Sequence, residues 1–415
     1  MSIISHMLGS VSRLEPKHVA VVGGGLGGIR TIEALRGAGY RGPITLVAAE
    51  EHFPYDRPAL SKQVLTGAWE HDRVTLCDAA RATELAVDIR LGMRATQLHP
   101  GRLTLSDGSE LDADAIVLAT GLTPRRLAGQ PDAPTVHVLR TIEDSLRLRA
   151  ALRQGGSLLI VGGGFIGAEV ASAARTAGMR VTVLEAQPTP LATAVGPIVG
   201  TMCGRVLTEA GVELRVNCAT SGFRSPTELE LADGTTLEPD HILVAIGAVP
   251  EVEWLRESGL DLSNGIGCDD TGRALGADGV WAVGDAAAWH GPLGVRRRVE
   301  HWSNVSSQAA VVAQDILGTA APKPELPYFW SDQFGLKFQL IGSPEQSDAV
   351  ITLAGEGLAG GQIRGTVLGY LAGESLVAAA GFGTVREIAR LRQVITDGGG
   401  LDAAVAALSP ANVPA

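Results

Sequence analysis

Two stretches of the chain share one order of hydrophobic and polar positions, in which a short apolar run leads into a cluster of glycines. The runs cover residues 18–22 and 157–161, and the clusters follow at residues 23–28 and 162–167. Each run has the length and composition of a buried strand. The glycines of both clusters have G-x-G-x-x-G spacing, and they are Gly23, Gly25, Gly28, Gly162, Gly164 and Gly167.

Apolar residues recur three or four positions apart after each cluster, as they do on one face of a helix. They are Ile29, Ile32 and Leu35 in the first copy and Ile166, Val170 and Ala174 in the second. A further apolar run follows, at residues 44–47 and at residues 181–184. The pattern predicts two complete βαβ units, the building blocks of Rossmann-like α/β domains.

The glycine spacing predicts a nucleotide site in each unit. The first glycine of such a motif makes a tight turn, the second lets the backbone approach a pyrophosphate, and the third lets helix and strand pack closely. The N-terminus of the following helix offers free N–H groups to the diphosphate. Two copies in this context favour two dinucleotide sites over two glycine turns that only pack.

The residues after the second strand of each unit bear on which nucleotide binds. Glu185 ends that strand in the second unit, where a carboxylate can accept hydrogen bonds from ribose hydroxyls. Residues 186–190 contain no Lys or Arg for a 2′-phosphate, which favours NADH over NADPH. Ala48 takes the equivalent position in the first unit, and Glu50 is either a ribose ligand or a solvated loop acid.

Three further apolar runs end in small residues, at 116–121, 242–247 and 279–285. The carboxyl ends of strands in an open α/β sheet lie at the edge where such proteins bind ligands. Asp285, at the end of the third run, is therefore either a ligand-binding carboxylate or a helix N-cap.

Composition narrows the class of protein. A chain of 415 residues suggests two or three domains. The net charge of −11 argues against a nucleic-acid binder, because neutralising phosphates requires a basic surface. The four cysteines are scattered and no two form a C-x-x-C pair, which argues against a redox dithiol, a disulfide framework or a zinc site.

Other motifs are missing from the sequence. The chain has neither an apolar run long enough for a membrane span nor a segment typical of a signal peptide. We therefore expect a cytoplasmic protein without a membrane partner, with residues 1–16 as a flexible arm. The nine histidines show no ligand spacing, so no metal is expected, and the G-x-S-x-G and P-loop motifs are absent.

Together these motifs resemble those of the two-dinucleotide flavoprotein oxidoreductases. The resemblance is strongest to NADH-dependent ferredoxin reductases of the putidaredoxin-reductase and rubredoxin-reductase type, which serve Rieske oxygenases and cytochromes P450. The matching segments are residues 23–28, 54–62, 119–121, 162–169, 282–285, 300–304 and 327–333. The chain departs from the family pattern at Ala48, Ala49 and Ala59.

The resemblance implies a glutathione-reductase-like α/β fold with two Rossmann-like domains and a C-terminal α+β domain. The implied FAD-binding domain is discontinuous and comprises residues 17–123 and 249–323. The NAD-binding domain then covers residues 124–248, and the C-terminal domain covers residues 324–415.

By the same resemblance, the first glycine cluster binds FAD and the second binds NADH. Asp285 then contacts the ribityl chain, and Lys62 lies near flavin N5 in an ion pair with Glu169 at the hydride-transfer face. Trp302 is implied as a flavin neighbour on the electron exit route. The other residues assigned to cofactor binding are Glu50, Arg57, Thr120, Gly121, Arg125, Gly247, Gly284, Glu300, His301 and Trp330.

The implied activity is transfer of a hydride from NADH to FAD and of single electrons from the flavin to an acidic [2Fe-2S] ferredoxin, which serves an oxygenase or a cytochrome P450. One alternative is a reductase of rubredoxin or of a small molecule such as a quinone, a disulfide or dioxygen. Another is a flavoprotein like apoptosis-inducing factor, in which NADH switches binding to a partner. We expect a monomer or a homodimer.

An acidic ferredoxin and a chain of net charge −11 repel each other, so a local basic patch must steer their encounter. Two groups of arginines are expected to form such a patch. The first group is Arg296, Arg297 and Arg298, and the second is Arg386, Arg390 and Arg392.

Overall fold

A five-stranded parallel sheet carries the first glycine cluster. The computed structural model describes residues 15–291, 295–320, 322 and 325–409, so nearly all of the predicted arm at residues 1–16 lies outside the described residues. In order across the sheet, the strands are Val280–Ala282, Ala115–Leu118, Val19–Val22, Ile44–Val47 and Val87–Arg90. All neighbouring pairs are parallel, so the carboxyl ends of the strands share one edge, where the glycine cluster begins.

Helices Leu26–Gly37 and Trp302–Ile316 lie side by side on this sheet and bury their apolar faces in one core with it. The second of these helices and the strand Val280–Ala282 come from a distant part of the chain. The first nucleotide domain is therefore assembled from two separate stretches.

A second five-stranded parallel sheet carries the second glycine cluster. In order, its strands are Glu213–Arg215, Arg180–Leu184, Ser157–Val161, His241–Val244 and Val136–His137. The helices of this domain are Ile142–Gln154, Phe165–Thr176 and Ala192–Glu209. The last of them is kinked at Gly196, which has φ +74° and precedes Pro197. Both predicted βαβ units and the predicted α/β fold class are confirmed.

The C-terminal part is a five-stranded antiparallel sheet with two helices. The strands, in order, are Tyr328–Gln333, Leu336–Gly342, Ser375–Phe382, Val367–Ala372 and Ala349–Ala354. The helices are Val385–Thr396 and Leu401–Leu408, and they cover one face of the sheet. The other face shares a core with helix Ala192–Glu209, and the Tyr370 hydroxyl donates to Val195 O at 2.8 Å. The second nucleotide domain and the C-terminal part are thus packed together.

The remaining elements are short. The strands are Ala95–His99, Arg102–Leu105, Glu110–Asp112, Leu122–Pro124, Thr220–Ser225, Glu228–Leu231, Thr236–Leu237, Ala248–Pro250, Ile266–Cys268, Ala287–His290 and Arg296–Arg297. The helices are Arg57–Ala59, Gln63–Thr66, His71–Val74, Ala79–Glu84, Glu253–Leu255, Gly284–Ala286, Pro344–Gln346 and Gly357–Ala359.

Two of these strands connect the nucleotide domains. Leu122–Pro124 and Ala248–Pro250 pair as an antiparallel ribbon, and the two predicted boundaries, after residues 123 and 248, fall within it. Among residues 15–291, 295–320, 322 and 325–409, no helix combines the length and the apolar composition that crossing a bilayer requires.

Candidate functional site

Of the three motif glycines in the first loop, residues 23–28, only Gly25 leaves room for a ligand. Gly23 has φ +121°, and a Cβ on it would overlap the carbonyl oxygen of Ala119. A Cβ on Gly28 would overlap the carbonyl oxygen of Gly23, whereas a Cβ on Gly25 would meet no atom within 4 Å. The first and third glycines are therefore fixed by turn geometry and packing, and the second borders open space at the start of helix Leu26–Gly37.

The second glycine loop, residues 162–167, repeats this geometry. Gly162 has φ +109°, and a Cβ on it would overlap the carbonyl oxygen of Ala245. A Cβ on Gly167 would overlap the carbonyl oxygen of Gly162, whereas a Cβ on Gly164 would meet no atom within 4 Å. Both loops thus fit the backbone requirements of a diphosphate at a helix N-terminus.

Glu185 lies directly over the second loop. Its Oε2 accepts a hydrogen bond from the Gly163 N–H at 2.9 Å, and its Oε1 accepts one from the Gln187 N–H at 2.8 Å. These bonds fix the carboxylate where the sequence predicts a ribose ligand. In the first unit Ala48 is buried at the equivalent position, with its Cβ 2.7 Å from where a Gly24 Cβ would stand, so this loop has no corresponding acid.

A cavity of about 350 Å³ runs along the first loop and reaches all three parts of the molecule. One end lies beyond strand Ile44–Val47, and the other lies between Lys62 and two tryptophans. The predicted site residues that line it are Gly23, Gly25, Glu50, Arg57, Lys62, Thr120, Gly121, Glu169, Gly284, Asp285, Glu300, Trp302 and Trp330. An open glycine loop suits the diphosphate of a dinucleotide, and an apolar, aromatic far end suits a flat ring system, so the residues present fit FAD.

The other predicted site residues lie outside this lining. Gly162, Gly164, Gly167 and Glu185 form the second loop, as described above. Arg125 and Gly247 lie beside each other next to the ribbon, where the Arg125 N–H donates to Gly247 O at 3.0 Å. His301 precedes helix Trp302–Ile316, and its ring packs on Phe329. Burial lowers the pKa of this histidine.

Lys62 and Glu169 form an ion pair at the far end of the cavity, with 2.8 Å between Lys62 Nζ and Glu169 Oε1. Glu169 lies on the first turns of helix Phe165–Thr176 and is only 4% exposed. Its carboxylate also accepts hydrogen bonds from the hydroxyls of Ser61 and Ser331, the latter at 2.6 Å. Because these four residues come from all three parts of the chain, the pair is held in place by the whole assembly.

Trp302 stands at the same end of the cavity. Its indole Nε1–H donates to Asp56 Oδ1 at 2.9 Å, and its ring meets Trp330 edge to face at 6.0 Å between centroids. Burial raises the pKa of Asp56, and the hydrogen bond from Trp302 acts in the opposite direction. Trp330 in turn stacks on Tyr328, so aromatic rings continue from the cavity along strand Tyr328–Gln333.

Glu50 and Arg57, both predicted as cofactor contacts, line the cavity and also bind each other. Arg57 Nη2 lies 2.5 Å from Glu50 Oε1, and the Tyr55 hydroxyl donates to Glu50 Oε2. Arg57 also donates to Arg140 O at 2.7 Å. Their charges therefore compensate each other in the cavity wall. Nothing in the spacing of these two residues along the chain predicted that they would pair.

Asp285 lies inside the short helix Gly284–Ala286 and not at its N-cap, which is Val283. Burial raises the pKa of its carboxyl, while nearby Arg140, Arg298 and Arg57 act in the opposite direction. No hydrogen bond joins this carboxylate to another residue of the described chain, so it is available to a ligand in the cavity.

Arg140 is a site residue that sequence reasoning missed. Its guanidinium lies against Gly121, with Nη2 2.9 Å from where a Cβ on that glycine would stand. Burial, followed by the like charge of Arg57, lowers its pKa to about 10. No motif or periodic pattern marked it. By contrast, Asp56, Ser61 and Ser331 lie within segments quoted for the resemblance, and only their pairing was unforeseen.

The first predicted arginine patch is neutralised within the chain. Arg296 pairs with Asp261, Arg297 pairs with Glu345, and Arg298 pairs with Glu300 at 2.7 Å. The expectation that these three form a basic patch is therefore wrong, because each is paired with an acid, two of them distant in sequence and the third, Glu300, only two residues away. No ion pair within the described ranges joins Arg386, Arg390 or Arg392 to a carboxylate.

Those same ranges hold no group of three or more His, Cys, Asp or Glu arranged to bind a metal.

Comparison with known proteins gives two family matches. Residues 17–309 match the family model for pyridine nucleotide-disulphide oxidoreductases, and residues 328–411 match that for the reductase C-terminal domain.

Relatives and solved structures agree with these matches. The ferredoxin–NAD(+) reductase subunit of the benzene 1,2-dioxygenase system of Pseudomonas putida is 39% identical over 79% of this chain and 81% of its own. A rubredoxin–NAD(+) reductase of Pseudomonas putida is 35% identical over 80% and 88%. The covalent putidaredoxin reductase–putidaredoxin complex superimposes with a TM-score of 0.87 at 31% identity, over 92% of this chain and 93% of the other.

Proposed function

The chain belongs to the pyridine nucleotide-disulphide oxidoreductase family, and from this premise we propose that it is an FAD-dependent NADH:ferredoxin oxidoreductase. The resemblance predicted from the motifs is thereby confirmed at the level of the family. In the proposal, electrons pass from NADH through FAD to a small [2Fe-2S] ferredoxin, which delivers them to an oxygenase or a cytochrome P450. The named relatives of dioxygenase systems support this assignment.

The observation that carries the proposal is the composition of the far end of the cavity. Glu169 from the second nucleotide domain reaches a space that the first nucleotide domain encloses, so a nucleotide on the second loop faces a cofactor on the first. Tryptophans border this end, and no cysteine occurs among the described residues that line the cavity. The site therefore lacks the dithiol that a disulfide reductase of this family would need beside its flavin.

The chain's own residues have defined tasks in this proposal. Bound FAD accepts a hydride and releases single electrons. The first glycine loop binds its diphosphate, Asp285 and Arg140 contact it from the wall, and the Lys62–Glu169 pair orients the reacting ends of the two nucleotides. Trp302, fixed by Asp56, borders the flavin on the side where electrons leave.

Compartment and assembly follow from the same proposal. The four cysteines are all unpaired, as is usual in the reducing cytoplasm, and we assign the enzyme to that compartment as a monomer or homodimer. Its ferredoxin is acidic and docks near helix Val385–Thr396, where Arg386, Arg390 and Arg392 are not paired with carboxylates of the described chain. Arg392 lies 5.6 Å above the ring of Tyr328, which leads to Trp330 and the cavity.

A rubredoxin reductase is the second candidate, because a relative of that name is 35% identical over 80% of this chain. The experiment that decides is steady-state oxidation of NADH by FAD-loaded protein with ferricyanide, a dioxygenase-type ferredoxin or a rubredoxin as acceptor. We expect turnover with ferricyanide and faster turnover with ferredoxin than with rubredoxin. Slow oxidation with every acceptor would instead indicate a flavoprotein whose NADH binding serves a partner.

A further inference from the structure

A second cleft adjoins the Lys62–Glu169 ion pair. It has a volume of about 210 Å³, and polar side chains from all three parts of the molecule line it. They are Gln63, Thr66, Ser172, Thr176 and Asp332. Because Thr66 and Thr176 are exposed, the cleft reaches the molecular surface.

Three residues line both this cleft and the first cavity, namely Ser61, Lys62 and Glu169. The ion pair is therefore part of the partition between the two spaces. Its members are shielded from bulk solvent, with the side chains 13% exposed for Lys62 and 4% for Glu169. A proton on the Glu169 carboxylate can thus arrive from one space and leave to the other.

The end of the cavity at this partition is the reactive end. In a βαβ nucleotide unit the adenosine lies beyond the second strand, because the acid that contacts its ribose follows that strand. Here that end is formed by Ala48, Ala49 and Trp254. With the diphosphate of FAD at the glycine loop, Lys62 and Trp302 would be the residues that border its flavin ring.

The proposed function, on which this inference rests, requires a proton to leave that end in every turnover. One NADH and two oxidised ferredoxins become NAD⁺, two reduced ferredoxins and one H⁺. The hydride brings the hydrogen in with two electrons, the electrons depart to two one-electron acceptors, and the remaining proton must reach bulk water. The first cavity is then covered by the nucleotide on one side and by the docked ferredoxin on the other.

We infer that Glu169 accepts this proton and releases it to water in the second cleft. The resting carboxylate is anionic, since it accepts hydrogen bonds from Ser61 and Ser331 and pairs with the Lys62 ammonium. Protonation makes it a neutral carboxylic acid beside an unchanged ammonium, and loss of the proton to the cleft restores the ion pair. The hydroxyl of Ser172 and the carboxylate of Asp332 line the outward path.

The test measures proton release separately from electron transfer. FAD-loaded protein reduced with one equivalent of NADH is mixed with two equivalents of oxidised ferredoxin in weak buffer containing a pH-indicator dye. Flavin absorbance reports the electrons and the dye reports the proton. In the wild-type protein we expect both signals to have the same rate. In Glu169→Gln, which cannot accept a proton, we expect the dye signal to lag by about 100-fold, the effect of losing a general base.

A second variant leaves the ion pair intact. T66L/T176L fills the cleft from both sides, and we expect the dye signal to lag several-fold while the solvent isotope effect on proton release increases. The matched control is T83L/T208L, because these exposed threonines also nearly end helices and donate to a preceding carbonyl, Ala79 O or Arg205 O, at 2.9 and 3.3 Å. The control should behave as wild type.

Two outcomes would overturn the inference. Equal dye and flavin rates in both Glu169→Gln and T66L/T176L would mean that the proton leaves through the first cavity. A lag in T83L/T208L equal to that in T66L/T176L would mean that the cleft has no specific part. Failure of the proposed function differs from both, because the reduced flavin of the wild-type protein would then pass no electrons to the ferredoxin.

Discussion

We propose that Glu185 sets the choice of nucleotide. Its carboxylate is fixed by the N–H groups of Gly163 and Gln187, where we expect it to accept ribose hydroxyls and repel a 2′-phosphate. We expect kcat/KM for NADH to exceed that for NADPH by at least about tenfold, which corresponds to about 1.4 kcal/mol. Glu185→Gln should reduce this ratio, and Glu213→Gln on the adjacent strand should not. Comparable kcat/KM values for the two nucleotides in the wild-type protein would refute the assignment.

The Lys62–Glu169 pair offers a second test at this scale. Glu169→Ala removes the partner of a largely buried ammonium and lets Lys62 shift, so anaerobic reduction of the flavin by NADH should slow by roughly 100-fold. The FAD content should stay the same, because the glycine loop and Asp285 are untouched. Stopped-flow traces like those of the wild type would exclude the pair from hydride transfer, and loss of FAD would show that Glu169 supports the cofactor instead.

Single residues also show where prediction from sequence ends. The glycines of both loops follow from their motif spacing, although the carbonyls that Gly23 and Gly162 meet belong to Ala119 and Ala245, outside the loops. Asp56 and Trp302, by contrast, are hydrogen-bonded across 246 positions, and Arg140 reaches Gly121 from a segment without any motif. Such contacts depend on how domains dock, which no periodic pattern specifies.

Among the secondary structure elements, strand Val136–His137 at the edge of the second sheet is expected to be sensitive to pH. His137 is buried beside His241 on the neighbouring strand, with ring centroids 5.5 Å apart. Burial, followed by the charges of His241 and Arg147, lowers the pKa of His137 to about 4, and burial also lowers the pKa of His241.

Proton binding determines whether the protein becomes more or less stable as the pH falls. The unfolded chain binds a proton at this histidine near pH 6.5, whereas the folded chain does so only near pH 4. The free energy of unfolding should therefore decrease by up to about 3 kcal/mol as the pH falls across that window. Urea unfolding from pH 7.5 to 4.5 checks this. In His137→Leu the free energy of unfolding should decrease less over this range. In His99→Leu, on an exposed strand position, it should decrease as in the wild type. Equal pH dependence in all three proteins would show that protonation of His137 does not destabilise the fold.

The elements differ in how far the sequence predicts them. The strand and helix of each glycine unit lie within a few residues of their predicted positions, because apolar periodicity and glycine turns are local signals. The kinked helix Ala192–Glu209 carries no such regular signal, since Gly196 and Pro197 interrupt it. Its place follows from the core that it shares with the C-terminal sheet.

At the scale of the whole molecule, the paired arginines change the expected docking surface. Reversing two charges at Arg386 and Arg390 should increase KM for ferredoxin and flatten its salt dependence, because charges at the rim act mainly on association. The same reversal at Arg296 and Arg297 should have a smaller effect on association, since Asp261 and Glu345 already compensate them. Reduction of ferricyanide should be unchanged in the variant with reversed charges at Arg386 and Arg390. Unchanged ferredoxin kinetics in both pairs would place the docking surface elsewhere.

In the proposed function, a flavin between two nucleotide domains takes two electrons from one NADH and delivers them one at a time to ferredoxin. Anaerobic titration of FAD-loaded protein and excess oxidised ferredoxin with NADH tests it most directly. We expect each NADH to reduce two equivalents of a one-electron ferredoxin, and we expect the flavin absorbance to recover after each addition until the ferredoxin is exhausted. Flavin that is bleached by NADH yet passes no electrons to the ferredoxin would contradict it.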